Sequence, residues 1–102
     1  LFRSRKERGY YRTFLYGSPN EKIAALDWLQ ACRSWDAKRW VQGLLFDNSP
    51  AVRERTARFI AETDYLPFLS DLEAACRVER DEQTKQRMVK HLEHLKALLP
   101  HK

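Results

Sequence analysis

The sequence is poor in the residues on which fold classes other than all-α depend. Three glycines and four prolines in 102 residues leave few of the turn signals that all-β folds scatter along their length. No apolar run is longer than four residues, so no stretch reads as a transmembrane helix, and no signal-peptide pattern opens the chain. These absences favour a single helical domain, since the length is near the common domain size.

Signatures of catalysis and of metal binding are also scarce. The two cysteines, Cys32 and Cys76, are too few for a disulfide framework and have no neighbours at metal-ligand spacing, so we expect reduced, buried thiols in a cytoplasmic setting. His91 and His94 could supply two ligands from one helix, whereas a structural zinc site takes four. Because no Gly-rich phosphate loop, G-x-S-x-G motif or paired-carboxylate spacing stands out, the sequence predicts no enzyme activity, no metal and no cofactor.

Positive charge is concentrated in one short segment. The net charge is +5, but residues 18–102 are close to neutral, and residues 1–16 form a basic and aromatic arm. The basic residues of this arm are Arg3, Arg5, Lys6, Arg8 and Arg12. Because the chain begins with Leu1, we expect it to be a piece of a larger protein, and such a basic stretch is typical of the cytoplasmic flank of a transmembrane helix. An inert solubilising tail and an interdomain linker are the alternatives.

Amphipathic helix patterns run through most of the chain. The clearest one starts at Ser49, which can cap a helix, followed by Pro50 at the first helical position, where a missing N–H costs nothing. Spacings of three and four then place one group of residues on a common face. That face consists of Val52, Thr56, Phe59 and Ile60, and the residues expected to point elsewhere are Arg53, Arg55, Arg58 and Glu62.

The remaining helices are predicted from similar signals. Ser18 and Glu21 stand at capping-box spacing, and aromatic residues within the arm, such as Tyr10 and Phe14, lie at helical spacing. The predicted helices after the arm cover about residues 18–32, 36–46, 49–65, 66–77 and 82–99.

The capped helices repeat one pattern, in which a basic residue follows the cap and apolar residues follow it four and seven positions later. The three sets are Lys22, Leu26 and Leu29, then Arg53, Ala57 and Ile60, then Lys85, Val89 and Leu92. They are offset by 31 and 32 residues, with a shorter helix between them. The pattern indicates a unit of two antiparallel helices repeated about two and a half times. In such an arrangement Arg53 can reach an acidic residue of the neighbouring unit.

With D-N-S-P-A-V-R at 47–53 and S-P-N-E-K-I-A-A-L at 18–26, the chain resembles HEAT-type repeat proteins of the short class seen in bacterial scaffolds. The resemblance implies an all-α fold, a short right-handed α-solenoid of antiparallel helix pairs, with about two and a half repeats plus an N-terminal helix. It divides the chain into the arm (1–16), a repeat domain (17–99) and a tail (100–102). An ordinary bundle of unrelated helix pairs is the alternative.

In HEAT-like solenoids the second helix of each pair lines the concave surface where partners sit, so the resemblance implies a partner surface on the 36–46 and 66–77 helices. Its residues would be Lys38, Arg39, Gln42, Ser70, Asp71, Glu73 and Arg77. Trp35, in the turn before the first of these helices, is added as a partly exposed anchor. Since the charges are mixed in sign, this surface suits a protein or peptide better than a phosphate backbone.

The expected function is therefore a non-catalytic protein-protein interaction or scaffold module, the cytoplasmic part of a larger, membrane-anchored protein. The alternative is a nucleic-acid-binding domain, as in HEAT-like DNA glycosylases, that contacts the phosphate backbone through the basic arm. Tyr10, Tyr11 and Trp35 would then be available for stacking. A resemblance to HEAT-like phycobilin lyases rests on the fold alone.

Overall fold

The computed structural model describes residues 12–32 and 37–100, and all of the regular secondary structure in these ranges is helical. Five α-helices have defined bounds: α1 (Pro19–Cys32), α2 (Ala37–Leu44), α3 (Pro50–Glu62), α4 (Leu69–Val78) and α5 (Glu82–Lys96). Residues 12–16 are also helical, and a short 3-10 helix, Leu66–Phe68, leads into α4. The predicted all-α class is confirmed.

Each of the three long helices begins with a side-chain cap. Ser18 and Glu21 form a reciprocal capping box, in which each backbone N–H donates to the other's side chain, at 2.9 and 3.2 Å. Ser49 caps α3 by accepting from a backbone N–H of its first turn. Asp81 caps α5 by accepting from the backbone N–H of Thr84 at 2.8 Å. The start of α5 is thus fixed by a carboxylate in place of the serine and proline that begin the two earlier helices.

The central helix ends earlier than its sequence suggests. A helix running to about residue 65 was expected from the proline that follows, but α3 ends at Glu62. Asp64 adopts a left-handed conformation with φ 53°, and the N–H of Tyr65 donates back to the carbonyl of Ile60 at 3.2 Å. A left-handed residue followed by such a bond is a Schellman-type helix end, and aspartate tolerates that conformation better than most residues. The local turn therefore stops the helix before the proline can.

Helix α3 is the centre of the fold. Helices α1 and α5 pack on either side of it, while α2 packs against α3 and α4 packs against α5. Contacts at both ends show that α1 and α3 run parallel and in register. Lys22 in the first turn of α1 binds Asp47, just before α3, and Gln30 near the end of α1 binds Glu62 at the end of α3. Equivalent contacts at both ends, described below, align α3 with α5.

One hydrophobic core joins all the helices. Its largest fully buried side chains are Leu26, Val41, Leu45, Val52, Ile60, Leu72, Met88 and Leu95. Phe14, from the helical residues 12–16, is also buried and stacks on Trp40 with ring centroids 5.6 Å apart, so the end of the arm belongs to this core. Leu99 lies beyond the end of α5 at Lys96 and is 41% exposed.

Candidate functional site

Two salt bridges link the N-terminal ends of the parallel helices α1, α3 and α5. We call these two salt bridges the N-terminal ladder. Lys22 Nζ lies 2.6 Å from Asp47 Oδ1, and Arg53 Nε lies 2.6 Å from Glu79 Oε1. Each cation is in the first turn of its helix, and each carboxylate lies just before the next capped helix. Arg53 therefore reaches an acidic residue in the turn between α4 and α5.

The second bridge of the ladder contains the more buried carboxylate. Arg53 binds Glu79 in a bidentate salt bridge, in which its Nη2 also donates to Oε2 at 2.8 Å. Its Nη1 donates to the backbone carbonyl of Asp47 at 2.7 Å. The side chain of Glu79 is only 1% exposed. Hydrogen bonding by Arg53 lowers the pKa of this carboxyl, and the same contact raises the pKa of the guanidinium. Both groups are therefore charged at neutral pH.

Acidification is expected to weaken the fold through Glu79. Because its folded-state pKa is lowered, its stabilising contribution is complete above the ordinary glutamate pKa of about 4.3 and is lost as pH falls through the folded-state value. Thermal unfolding followed by circular dichroism should show a Tm that drops below about pH 4.5, with a shallower drop for Glu79→Gln. If the Tm of the unaltered protein and the Tm of Glu79→Gln fell equally with pH, this carboxylate would not control acid stability.

Arg55 is buried, although the periodicity places it outside the apolar stripe of α3. It is 5% exposed, and its Nη2 donates to Asp27 Oδ1 at 2.6 Å and to Gln30 Oε1 at 2.8 Å. Helix α1 lies over this side of α3 and supplies acceptors for the guanidinium, so a residue outside the apolar stripe is buried all the same. The Nη1 atom of Arg55 is buried without a hydrogen-bond partner among the described residues.

The two histidines of α5 contact α3 and the turn after it. His91 Nε2 lies 3.1 Å from Glu54 Oε1, and His94 Nε2 lies 3.0 Å from Asp64 Oδ1. Each histidine therefore meets a different carboxylate, and the two rings do not converge on one point. Within residues 12–32 and 37–100 no group of three or more potential ligands is arranged to hold a metal ion. The His94–Asp64 contact places the C-terminal end of α3 beside that of α5, whereas Glu54 lies in the N-terminal half of α3.

Part of the predicted partner surface is brought together by α2 and α4. Gln42 Nε2 donates to Asp71 Oδ2 at 3.4 Å, so these helices are neighbours at this point. Glu73 lies 4.0 Å from Lys96 of α5. We call the described residues of this surface the partner face: Gln42, Ser70, Asp71, Glu73 and Arg77. The remaining predicted members, Trp35 and the side chains of Lys38 and Arg39, lie outside the described part of the chain.

Of the basic arm, only Arg12 falls within the described residues, where it is exposed. The other basic residues predicted for the arm, Arg3, Arg5, Lys6 and Arg8, lie outside them. Across the described ranges, no helix has the length and apolar character needed to cross a membrane.

Cys76 is a poor candidate for a nucleophile. Its side chain is buried and unbridged, and burial raises the pKa of its thiol. A reactive cysteine needs an accessible thiolate, whereas this environment keeps the sulfur protonated at neutral pH. Cys76 therefore serves packing in the core, and the side chain of Cys32 lies outside the described residues.

Comparison of the chain with models of protein families, with curated proteins and with solved structures found no match. Its function is therefore inferred from the geometry above.

Proposed function

We propose that this chain is a non-catalytic interaction module, a short right-handed HEAT-like solenoid that presents its partner face to another protein. The observation that carries this proposal is the N-terminal ladder. The same cation-to-carboxylate contact is made twice, at the interval at which the capped helices recur in the sequence. In a stack of similar units, the same contact is expected to recur at the period of the sequence repeat. An ordinary helix bundle does not predict such a recurrence.

The arrangement of the helices supports a two-layered stack. Helices α1, α3 and α5 lie side by side and parallel, which is how the first helices of successive pairs sit in a solenoid. Helices α2 and α4 meet at the Gln42–Asp71 contact, as a second layer requires. The smallest extent of the molecule is 18 Å, which suits two layers of helices about 10 Å apart.

A binding role is favoured over catalysis because many of the polar side chains that could act in catalysis are paired with one another in salt bridges or hydrogen bonds. Lys22, Arg53, Arg55, His91 and His94 each contact a carboxylate within the structure. The partner face carries exposed or half-buried groups of both signs, joined only by the long Gln42–Asp71 and Lys96–Glu73 contacts. Such a mixed surface, mounted on rigid helices, suits recognition of a protein or peptide. The proposed location is the cytoplasmic face of a membrane, as part of a longer protein.

The alternative of nucleic-acid binding has weaker support. Phosphate recognition draws on uncompensated lysine and arginine, but the cations of the N-terminal ladder and Arg55 are neutralised by carboxylates of the chain itself. What charge remains for a phosphate backbone is found mostly in the arm. We therefore place protein binding first.

Charge reversal on the partner face tests the proposal. We expect Asp71→Arg with Glu73→Arg to weaken binding of the protein partner at least about tenfold, because like charges at an interface repel. Partners would be cross-linked to the intact chain in extracts of its source cells, identified, purified and titrated against each variant.

The matched control is Glu82→Arg with Glu93→Arg, which changes the net charge equally at exposed positions of α5 outside the partner face. This control should bind as the unaltered chain does. Equal loss in both variants, or turnover of a substrate by the purified chain, would contradict the proposed role.

A further inference from the structure

A third cation occupies the same position in its helix as the two cations of the N-terminal ladder. Lys22, Arg53 and Lys85 each lie four residues after the capping residue of a long helix. Lys22 and Arg53 bind the carboxylates that precede α3 and α5. Lys85 is half-buried, and it forms no salt bridge with another described residue, Glu82 one turn earlier included. A partly desolvated ammonium group without a counter-charge is costly, so this position is suited to an incoming carboxylate.

The two complete salt bridges define the chemistry of that carboxylate. Asp47 and Glu79 each lie two residues before the capping residue of the next long helix. Each carboxylate accepts the backbone N–H of that capping residue, at 3.0 Å from Ser49 and 3.1 Å from Asp81. The same carboxylate binds the cation of the preceding helix, so it is fixed at the start of its own helix. The group that fits beside such a cation is therefore a carboxylate two residues before a helix N-cap.

The side of α5 that carries Lys85 is open, whereas the same side of α1 and of α3 is covered by the next long helix. Side chains eight and twelve residues after the capping residue lie on this side, because a spacing of four keeps to one face of a helix. In α1 and α3 both are buried or half-buried, but in α5 the first is half-buried and the second is exposed. These side chains are Leu26 and Gln30 in α1, Ala57 and Ala61 in α3, and Val89 and Glu93 in α5.

A second copy of this chain does not supply the missing helix start. In α3 and α5 of such a copy, the side that would face Lys85 already packs against the preceding helix. Only α1 has no preceding long helix among the described residues, and the residue two positions before its N-cap is Tyr16, which carries no carboxylate. A nucleic acid also fits poorly, because the open side changes sign from Lys85 to Glu93 and would repel a polyanion at its second end.

We infer that α5 docks a helix of another protein, and that a carboxylate two residues before the N-cap of this helix binds Lys85. The docked helix covers Val89, and a basic side chain near its end meets Glu93. The equivalent contact within the chain, between Gln30 and Glu62, places that basic residue thirteen positions after the N-cap of the docked helix. This surface is separate from the partner face on α2 and α4, so the inference goes beyond the function proposed above.

Titration of the chain with a helical peptide tests the inference. The labelled probe has the sequence of residues 78–97, because it begins with the carboxylate of Glu79 and carries His94 thirteen residues after its capping residue. A hydrocarbon staple between the exposed positions of Gln86 and Lys90 holds the helix, since a peptide of this length is only marginally helical in water. Fluorescence anisotropy is expected to give a Kd of about 100 μM or tighter.

Two substitutions remove the two ends of the expected salt bridge. Lys85→Met in the chain should lower the affinity about tenfold, and Glu79→Gln in the peptide should do the same. Combining them should add little further loss, because the two groups act as one pair. Circular dichroism should show an unchanged Tm for Lys85→Met, since this lysine forms no salt bridge with another described residue.

The matched control is Arg87→Met, which removes an exposed cation from another side of α5. Arg87 holds the position that Arg55 holds in α3, and Arg55 faces the preceding helix. The control should therefore bind the peptide as the unaltered chain does.

Two results would overturn the inference. The first is that the peptide does not bind, or that Lys85→Met and Arg87→Met change its affinity equally, which would mean that the peptide docks elsewhere or exchanges with α5. The second is that light scattering shows the chain associating with itself and Lys85→Met dissolving the association, which would make a second copy the occupant of this side of α5.

Discussion

Replacing Arg53 with methionine is expected to lower the free energy of unfolding by about 3 kcal/mol, because it leaves the carboxylate of Glu79 buried without its counter-charge. Glu79 is 1% exposed at its side chain, so water cannot readily replace the guanidinium. The backbone carbonyl of Asp47 loses its hydrogen bond to Arg53 as well. Urea denaturation followed by circular dichroism measures the loss.

The same substitution elsewhere on α3 provides the control. Arg58 pairs with Glu62 at 3.5 Å, and both side chains are nearly half exposed, so Arg58→Met should cost less than about 0.5 kcal/mol. A double variant, Arg53→Met with Glu79→Met, should recover part of the stability lost in the single variant, because it removes both buried charges together. If Arg53→Met and Arg58→Met destabilise the protein equally, the ladder contributes no more than a surface pair.

The contact between Arg53 and a carboxylate further along the chain was predictable because Arg53 occupies a position that recurs in the sequence. The capping residues Ser18 and Ser49 were predictable for a different reason. Helix starts are local events, since a serine or aspartate oxygen binds an N–H only two or three residues away. Local chemistry of this kind is readable from a short stretch of sequence, and the observed starts of α1 and α3 agree with it.

The burial of Arg55 could not be predicted from periodicity. Whether an arginine on a helix faces solvent depends on what packs over it, and here α1 supplies Asp27 and Gln30 from residues about one repeat earlier. The end of α3 was mispredicted for a related reason, since the left-handed turn at Asp64 acts before Pro67 does. In both cases a competing local turn or a tertiary neighbour overrode a correct propensity.

The exposure of Leu15, Phe46 and Val78 was not predicted, although the sequence carries a signal for it. Leu15, Phe46 and Val78 align at the same offsets as the caps, but apolar residues beside a helix start are ordinarily assigned to the core. Their exposure depends on how each helix end is oriented relative to the core, which only coordinates show. Aligning all positions of the repeat, and not only the apolar stripes, would have raised the question.

The second large effect concerns how the helices share stability. Ile60→Ala in α3 and Leu95→Ala in α5 each empty a fully buried site, and each should cost about 3 kcal/mol of unfolding free energy. In a linear stack, the two substitutions should speed amide hydrogen exchange in different helices. Loss at Ile60, in the helix that contacts both neighbours, should speed amide hydrogen exchange throughout the described helices. Loss at Leu95 should speed exchange mainly in α4 and α5 and leave α1 protected.

Leu99→Ala serves as the control for truncation near the end of α5, because that side chain is 41% exposed and its loss should cost under about 0.5 kcal/mol. Site-resolved exchange by nuclear magnetic resonance distinguishes the two architectures, since stability in a stack is a sum of unit and nearest-neighbour terms. A single bundle with one shared core opens as a whole. If Leu95→Ala accelerated exchange in α1 as strongly as in α5, the chain would behave as such a bundle, and the proposed solenoid would have to be abandoned.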